Sequence, residues 1–403
     1  MDWIYLDNNA TTQPAPQVVD AMHEMAAELW ANPSSVHRFG QMARQRIELA
    51  RASIAKLIGC RDRELILTSG GTESNNLALR GALLKHEGRR VLITTPIEHS
   101  AIREPADDLK EAGVEVITLP VDITGYVEPD ALRDALLSCV EDGASVLVSI
   151  QWANNETGVI LPIAEFAKVV QESRDTGVKA RILFHSDATQ AVGKMPVDVK
   201  ETGVDLLTLS AHKFHGPKGA GALFVRTGVR LHAQQIGGPQ ERERRAGTEN
   251  TIGIVGMGVA AELAEHFVAD TDAIERLRGM RDRFECTIME RVGDMLGDAA
   301  IVNSRGRQRV WNTTNVGFPR LEAEAILLGL SERGVCASAG AACSSGSLEP
   351  SPVLLAMGIA EPVAHGSVRF SLSRFTTDDD IDRAAALVPD VIHRLGKTLP
   401  MGT

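Results

Sequence analysis

The sequence lacks the patterns that mark several classes of protein. It has only five cysteines in 403 residues, and none form a Cys-x-x-Cys pair, which argues against a disulfide framework and against a structural zinc site. The opening residues MDWIYLDNNATT do not have the basic region and apolar run of a signal peptide. No run of about 18 apolar residues predicts a membrane span. We therefore expect a cytoplasmic protein in a reducing compartment, without a metal site.

Positive charge is also scarce. The formal net charge is -11, and the basic cluster of Arg242, Arg244 and Arg245 is interrupted by Glu241 and Glu243. An acidic chain of this kind is not expected to bind nucleic acid directly through bulk electrostatics. Hydrophobic residues make up 44% of the chain, which is enough for the cores of two or three domains.

Apolar runs alternate with helical patterns through roughly the first 260 residues. Buried strands that alternate with helices predict crossover connections, and hence an α/β fold with a mostly parallel seven-stranded sheet flanked by helices. Gly219–Gly221 turns directly into the last run, which predicts an antiparallel strand there. The runs are Glu64–Thr68, Arg90–Thr94, Val114–Leu119, Ser145–Ile150, Arg181–His185, Leu206–Leu209 and Ala222–Val225. The helical patterns between them include Ser74–Lys85, Pro105–Glu111, Pro129–Val140 and Ile163–Thr176.

The character of the sequence changes after residue 258. Val259–Leu296 is a long helical stretch, and strands are predicted at Trp311–Val316 and Ser367–Leu372. We expect a large domain of residues 16–258 and a smaller α+β domain of residues 1–15 plus 259–403, with the N-terminal arm packed on the smaller one. Val335–Pro352 is mostly Ala, Ser and Gly, a composition that predicts a mobile loop.

Lys213 follows an apolar run and precedes a Gly/Pro-rich loop. Most lysines in such loops are solvated surface charges. The alternative is a Schiff-base lysine, which needs partial burial and cationic neighbours to lower its pKa. His212 and His215 are the residues that we expect to supply those surroundings.

Asp187 ends another apolar run, one strand–helix–strand unit before Lys213. The carboxyl edge of a parallel sheet is where ligands bind in α/β proteins. An aspartate there often only caps the next helix. In the functional interpretation, its carboxylate pairs with the pyridine nitrogen of pyridoxal phosphate and makes the ring an electron sink.

A phosphate group also needs a binding site. Thr68-Ser-Gly-Gly-Thr follows a run and opens a helical pattern, and the free backbone N–H groups of such a helix start bind anions. Gly71 and Thr72 lie in this turn. Ser210 and His212, just before Lys213, are candidates for the same phosphate. Many Gly-rich turns have no ligand, so this motif alone is weak.

Three further candidates follow strands or lie on one. His99 is positioned to stack on a cofactor ring and to move protons, although an isolated histidine is more often structural. Asn155 follows the run that ends at Ile150. Arg369 lies in a strand of the predicted small domain, and a buried arginine needs a partner such as a substrate carboxylate.

Cys343 lies among small residues that bury little surface, whereas most cysteines are small buried hydrophobes. An exposed thiol in such a segment is a plausible nucleophile. Cys336 at the edge of the same segment is the rival, and Cys343 ranks higher because it lies deeper in the small-residue stretch.

Taken together, these motifs resemble the NifS- and IscS-like cysteine desulfurases of the class V aminotransferase family, which are fold-type I pyridoxal-phosphate transferases. The resemblance covers essentially the whole chain, and the linked set is more specific than any one motif. The matching segments are Tyr5-Leu-Asp-Asn-Asn-Ala-Thr-Thr, Ser69-Gly-Gly-Thr-Glu-Ser-Asn-Asn, Glu98-His, Asn154-Asn-Glu-Thr-Gly, Asp187-Ala-Thr-Gln, Ser210-Ala-His-Lys and Ala341-Ala-Cys-Ser-Ser-Gly.

The resemblance implies a role for each matching position. Lys213 binds pyridoxal 5'-phosphate and moves protons, Asp187 pairs with the pyridine nitrogen, and Gln190 contacts the phenolic oxygen. His99 stacks on the ring, Asn155 and Arg369 bind the substrate carboxylate, and Cys343 accepts the sulfur. The expected phosphate ligands are Gly71, Thr72, Ser210 and His212, with Thr248 reaching the phosphate of the partner subunit in a homodimer.

The implied activity converts L-cysteine to L-alanine and leaves the sulfur on Cys343 as a persulfide. The long segment around Cys343 is similar to the group of the family that passes sulfur to scaffold or carrier proteins, for iron–sulfur cluster assembly or thiolation. A selenocysteine lyase, an aminotransferase and a non-enzymatic scaffold in a sulfur-transfer complex are the alternatives. The thiol segment disfavours the aminotransferase, and the presence of Lys213, Asp187 and His99 disfavours the scaffold.

Overall fold

The computed structural model describes residues 3–139, 143–176, 180–296, 300–339 and 349–397, with the backbone alone for 294–296. The strands are β1 Ile4–Tyr5, β2 Leu65–Thr68, β3 Arg90–Thr94, β4 Glu115–Thr118, β5 Ser145–Ser149, β6 Arg181–Asp187, β7 Leu206–Ser210, β8 Gly221–Val225, β9 Ile301–Val302, β10 Thr313–Gly317, β11 Val335–Cys336 and β12 Ser367–Ser371. The helices are α1 Pro16–Glu28, α2 Arg38–Leu57, α3 Gly71–Leu83, α4 Ser100–Glu111, α5 Pro129–Cys139, α6 Ile163–Asp175, α7 Val199–Thr202, α8 Thr251–Ala269, α9 Thr271–Leu296, α10 Ala323–Ser331, α11 Pro352–Ala356, α12 Glu361–His365 and α13 Asp378–Gly396.

The main sheet has seven strands in the order β2-β8-β7-β6-β5-β3-β4. Strands β7, β6, β5, β3 and β4 pair in parallel, and β8 runs antiparallel to both β7 and β2. The seven-stranded, mostly parallel sheet and the antiparallel strand after Gly219–Gly221 are therefore confirmed. Because the parallel strands share a direction, the segments that follow them meet at one edge of the sheet.

The sheet is buried on both faces. Alternate residues of each strand point to opposite sides, so that Val146 and Val148 lie in one apolar cluster and Leu147 in another. The first cluster packs against α2, α5, α6 and α8, and the second against α3 and α4. Strands covered on both faces explain why the apolar runs are continuous rather than alternating.

A second core surrounds the smaller sheets. Strands β12, β10 and β9 form one antiparallel sheet, and β1 pairs in parallel with β11. Ile4 and Leu6 of the N-terminal arm lie in this core with Phe284 and Phe370, whereas Ala15 at the end of the arm lies in the core of the main sheet. The division into domains of 16–258 and 1–15 plus 259–403 stays a prediction.

Two helix predictions were wrong in their bounds. The predicted helix at Pro105–Glu111 begins earlier, at Ser100, because the His99 side chain accepts a hydrogen bond from the Ala101 backbone N–H and caps it. The single helical stretch predicted for Val259–Leu296 is part of two helices, α8 and α9, separated at Asp270. Asp270 Oδ1 accepts a hydrogen bond from the Ala273 N–H, 3.0 Å, and starts the second helix.

Helix α8 has the length and composition of a membrane span, with a mean hydropathy of 1.4, which the sequence analysis did not expect. Its apolar residues Ile254, Met257, Ala260, Ala261 and Ala264 lie in the core of the main sheet. Its glycines allow close helix contacts, since a Cβ on Gly258 would lie 2.5 Å from the Cβ of Ala50 in α2. Packing inside the protein accounts for the composition of this helix.

A buried ion pair fixes α2 to strand β2. Arg51 Nη2 lies 2.6 Å from Glu241 Oε1, and both side chains are 3% exposed. Glu241 Oε2 also accepts a hydrogen bond from the Leu67 N–H, 2.9 Å. Glu241, Arg242 and Glu243 all have a left-handed backbone, with φ of 45°, 58° and 63°, a conformation that costs free energy in non-glycine residues. The ion pair is thus part of what holds this strained turn in place.

We predict that Glu241→Gln lowers the free energy of unfolding by about 3 kcal/mol, because it removes the buried counter-charge of the Arg51 guanidinium and leaves it paired with Glu48, whose side chain is 43% exposed. The urea midpoint of purified protein measures this. The matched control is Arg133→Gln, which removes an ion pair with Asp130 and Glu172 on the surface and should leave the midpoint unchanged. Equal midpoints for the two variants would contradict the structural role of Glu241.

Candidate active site at the carboxyl edge of the sheet

A cavity of about 850 Å³ lies where the parallel strands end. It brings together ten of the side chains or backbone positions singled out in the sequence. They are Gly71, Thr72, His99, Asn155, Asp187, Gln190, Ser210, His212, Lys213 and Arg369. Their convergence follows from the sheet, because the carboxyl ends of β2, β3, β5, β6 and β7 all face this space.

The turn between β2 and α3 forms one end of the cavity. Gly70 has φ 152° and ψ -175°, a backbone conformation open only to glycine. A Cβ on Gly71 would lie 3.2 Å from Thr189 Oγ1, a buried hydroxyl without a hydrogen-bond partner among the described residues. Free backbone N–H groups of the first turn of α3 and nearby hydroxyls therefore offer donors to an anion.

Asp187, at the end of β6, is oriented by two hydrogen bonds. Its Oδ2 accepts from Asn75 Nδ2, 2.8 Å, and its Oδ1 accepts from the Thr189 N–H, 2.9 Å. The carboxylate is 7% exposed and forms no salt bridge within the described part of the chain. An uncompensated carboxylate beside a cavity favours a cationic group of a ligand as its partner.

His99 presents a neutral imidazole to the cavity. Burial, more than the positive charges of Lys213 and Arg103, holds its pKa below the ordinary value of a histidine. Its Nδ1 accepts the hydrogen bond from the Ala101 N–H, 3.0 Å. The proton of the neutral ring is therefore on Nε2, and the ring orientation is fixed by the start of α4.

Lys213 lies in a short turn directly after β7. Its Nζ donates to two backbone carbonyl oxygens of the N-terminal arm, Asn9 O at 2.6 Å and Ala10 O at 2.8 Å. The predicted cationic role of His212 and His215 was wrong. Burial is the largest cause that lowers the pKa of each of these histidines to about 4, so both rings are neutral near pH 7.

The two histidines also face different spaces. His212 lines the main cavity, and its Nδ1 lies 3.2 Å from Thr11 Oγ1. His215 lines a separate small cavity beside Lys194 and Trp311, with its Nδ1 at 2.9 Å from Gln13 O. Charge states of this kind depend on burial, which the order of residues does not reveal.

Arg369, in the middle of β12, is 2% exposed. Its Nη1 donates to Asn155 O at 3.0 Å, and its Nη2 to Asp7 Oδ1 at 2.8 Å. The Nε of Arg369 and the Oδ1 of Asn155 are buried and have no hydrogen-bond partner among the described residues. A buried donor without a partner costs free energy, which a carboxylate ligand would recover.

The cavity is also lined by polar residues to which the sequence motifs gave no role. They include Asn9, Asn75, Glu98, Arg103 and Glu156. Burial raises the pKa of Glu98 to about 8 and raises the pKa of Glu156 above its usual value, so Glu98 is mostly protonated at neutral pH. Glu98 was visible as the neighbour of His99 and Asn9 as part of the Tyr5–Thr12 segment, whereas nothing in the sequence distinguished Arg103.

Two of the described sequence candidates, Thr248 and Cys336, do not line this cavity. Thr248 is exposed on the surface of the single chain. Cys343 lies outside the described residues. Cys336 is half-buried beside Tyr5, in a second cavity with Trp3 and Phe375. The roles assigned to the individual site residues stay predictions.

Comparisons with known proteins point to a single family. Residues 4–384 match the class V aminotransferase family. A cysteine desulfurase of Trichormus azollae is 46% identical over 400 residues, covering 99% of this chain and 95% of that protein. The cysteine desulfurase NifS of Azotobacter vinelandii is 43% identical, covering 98% and 94%.

Solved structures agree with these matches. A NifS-like protein, 32% identical, superposes with a TM-score of 0.87 and covers 98% of this chain and 100% of that one. A structure described as SspA in complex with cysteine, also 32% identical, has a TM-score of 0.76 and covers 93% and 99%.

We predict that His215→Asn weakens the pH dependence of stability. The folded-state pKa of His215 is about 4, against an ordinary 6.5, so the unfolded chain takes up this proton first and stability is lost as pH falls from about 6.5 to about 4. Asparagine tolerates the left-handed backbone (φ 68°) and does not titrate. The free energy of unfolding should therefore fall less steeply in the variant, by up to about 1.4 kcal/mol per pH unit. If urea titrations gave parallel plots of unfolding free energy against pH for the variant and the wild-type protein, the lowered pKa of His215 would be contradicted.

Proposed function

The chain belongs to the cysteine desulfurases of the class V aminotransferase family, and we propose that it converts L-cysteine to L-alanine and transfers the sulfur to its own Cys343. The observation that carries the proposal is the single cavity that collects Lys213, Asp187, His99 and Arg369 at the carboxyl edge of the sheet. These residues come from β6, β12 and the segments after β3 and β7, and together they supply an amine, a carboxylate, a flat neutral ring and a cation.

The residues present fit pyridoxal phosphate. The first turn of α3, with Gly71 and Thr72, offers N–H groups to the phosphate, and the unpartnered hydroxyl of Thr189 lies beside it. Ser210 and His212 complete this site from the end of β7. Asp187 would pair with the pyridine nitrogen, Gln190 would contact the phenolic oxygen, and His99 would stack on the ring. When bound, the group supplies an electron sink that makes the Cα proton of an amino acid acidic.

Substrate orientation falls to Arg369 and Asn155. The unpartnered Nε of Arg369 would donate to the carboxylate of L-cysteine, with Asn155 adding a second contact. Asp7 and the Asn155 carbonyl hold the guanidinium in place. A fixed carboxylate places the Cα proton and the thiol of the substrate at set positions, which lowers the entropy cost of reaching the transition state.

Lys213 is the base that we assign to the Cα proton. Its Nζ donates to the carbonyl oxygens Asn9 O and Ala10 O, and rotation of the flexible side chain would bring the amine to the substrate. The neutral His99 keeps Nε2–H available as a proton donor beside the same atoms. His212, also neutral, adds no repulsion to a protonated Lys213.

Sulfur transfer needs the Cys343 thiolate. It attacks the sulfur of the bound L-cysteine, an S–S bond forms, and the Cβ–S bond of the substrate breaks. The electron pair of that bond stays with Cβ, which takes up a proton, and the product leaves as L-alanine. Cys343 then carries the persulfide. The atoms balance without an external oxidant, because the sulfur is oxidised while Cβ is reduced.

The persulfide must leave the protein for the cycle to continue. We propose that an acceptor or scaffold protein in the cytoplasm takes this sulfur, for iron–sulfur cluster assembly or thiolation. The same set of residues also suits selenocysteine as a substrate. A protein that binds neither pyridoxal phosphate nor an amino acid would instead act as a non-enzymatic scaffold in a sulfur-transfer complex. Substrate assays separate these alternatives.

A homodimer is the state that we propose for the enzyme. Thr248 is exposed and lies outside the cavity of its own chain, on the loop that also exposes Ile236 (86%). An exposed apolar side chain and a hydroxyl on one loop suit a protein interface. At that interface, Thr248 would reach the phosphate of the pyridoxal phosphate bound to the partner subunit.

We predict that purified protein supplied with pyridoxal phosphate develops a visible absorption band, and that L-cysteine then yields alanine and sulfane sulfur in equal amounts. Cys343→Ser should keep the band and lose sulfur transfer at least about 100-fold, because a hydroxyl is a far weaker nucleophile than a thiolate. Cys336→Ser is the matched control and should retain the activity. If Cys336→Ser lost sulfur transfer and Cys343→Ser retained it, Cys336 would be the sulfur acceptor. If the absorption band formed but no alanine appeared, L-cysteine would not be the substrate.

We predict that light scattering gives a mass of twice 43.3 kDa. Thr248→Ala should weaken the retention of pyridoxal phosphate about tenfold, since a hydrogen bond to a charged group contributes about 1.5 kcal/mol. Thr271→Ala, at another exposed threonine, serves as the control. If the protein were a monomer and still bound pyridoxal phosphate with full affinity, Thr248 could not contact the phosphate of a partner subunit's cofactor.

A further inference from the structure

A second lysine is buried behind the candidate site. Lys194 is 4% exposed, and its Nζ donates to Asn9 Oδ1 at 2.8 Å and to Gln190 Oε1. No carboxylate of the described residues forms a salt bridge with it. Burial, followed by the charges of Lys213 and Arg369, holds its pKa well below that of an ordinary lysine. A buried lysine without an acidic partner is costly, and its position four residues after Gln190, in the segment that follows β6, calls for an explanation.

The hydrogen-bonding capacity of a lysine restricts what can face it. A charged amine has three N–H donors and no acceptor. The two ends of the Gln190 amide have nearly the same shape, but only its oxygen can face Lys194. The amide nitrogen must then point the other way, and Gln190 Nε2 donates to Asn9 O at 2.9 Å on the side of the cavity. Lys194 thus decides which end of Gln190 the cavity sees.

The same lysine orients a second amide. Asn9 Oδ1 accepts from Lys194 and from Asn312 Nδ2, 3.0 Å, so the Asn9 Nδ2 faces Asn155 O, 3.0 Å. The backbone oxygen of Asn9 accepts from Lys213 Nζ as well. A neutral Lys194 would still have two N–H groups for these two amide oxygens.

Charged neighbours of Lys194 come from several elements. Lys213 follows β7, Arg369 lies in β12, and both disfavour a positive Lys194. His215 lies on the other side, with a pKa lowered first by burial and then by the charges of Arg374 and Lys194. These groups are cationic or neutral, so none of them supplies a counter-charge to Lys194.

We propose that Lys194 is a positioning residue that fixes the amide nitrogen of Gln190 toward the phenolic oxygen of bound pyridoxal phosphate. The inference rests on the proposed function, because it concerns the contact between Gln190 and that cofactor. A donor at the phenolic oxygen withdraws negative charge from the neighbourhood of the nitrogen that joins Lys213 to the cofactor. That nitrogen then loses its proton at a lower pH.

The test uses the holoenzyme and the visible absorption of bound pyridoxal phosphate as a function of pH. Lys194→Met keeps the length of the side chain and removes its donors. It should raise the midpoint of the absorption change by about one pH unit, the equivalent of a tenfold change in a proton equilibrium. Lys168→Met, at an exposed lysine in α6, is the control and should leave the midpoint unchanged.

A double-variant cycle distinguishes an effect of Lys194 that acts through the orientation of Gln190 from a direct effect of the Lys194 charge. In a Gln190→Ala background, Lys194→Met should cause no further shift if Lys194 acts through Gln190. A shift of the same size in both backgrounds would overturn the proposal, because it would show a direct effect of the lysine charge. An unchanged midpoint in Lys194→Met would overturn it as well.

Folding of the variants is checked by thermal unfolding of each holoenzyme. Should Lys194→Met fail to fold, Lys194→Gln provides the same cycle, since a glutamine offers both a donor and an acceptor and no longer dictates the orientation of Gln190. It should shift the midpoint in the same direction by a smaller amount. If the wild-type protein itself shows no visible band with pyridoxal phosphate, the proposed function fails, and the role of Lys194 toward that cofactor fails with it.

Discussion

The structure depends on the path of the N-terminal arm across the carboxyl edge of the main sheet. Backbone groups of residues 4–15 hydrogen-bond to both parts of the protein. Ile4 and Leu6 bond to the β11 segment, Thr12 N and Ala15 N bond to the carbonyl oxygens of His212 and His215, and Asn9 O accepts from Lys213. Buried backbone groups must find partners, so these bonds fix the turn that carries Lys213 relative to β12 and Arg369.

The arm also explains the balance of charge in the site. The protein as a whole carries a net charge of -11, yet the cavity contains the cations Lys213, Arg369 and Arg103. Glu98, with its pKa raised to about 8 by burial, adds little negative charge near neutral pH. Carbonyl oxygens of the arm accept hydrogen bonds from the Lys213 amine. Lys213 and Arg369 therefore offer positive charge to anionic groups such as a phosphate and a carboxylate, while Asp187 in the same cavity offers negative charge to a cationic group.

The sequence patterns predicted most of the features that depend on residues close together in the chain, such as the strands of the main sheet. The continuous apolar runs gave the seven strands, because a strand buried on both faces needs no polar residues, and the glycine turn before Ala222 indicated the change of direction of β8. The break between α8 and α9 was missed because apolar periodicity continues across Asp270. The roles suggested for His212 and His215 failed because a charge state is set by burial. Asn9 and Lys194 were missed because their importance comes from contacts between residues that lie far apart in the chain.

The contact between Arg369 and Asp7 joins positions near the two ends of the chain, 362 residues apart. Contacts of such high sequence separation form late, since the entropy of closing a long loop must be overcome first. During synthesis, the main sheet can fold on the ribosome while β12 is still untranslated. An emerging chain therefore has the anion site at α3 and the Lys213 turn before it has the guanidinium of Arg369.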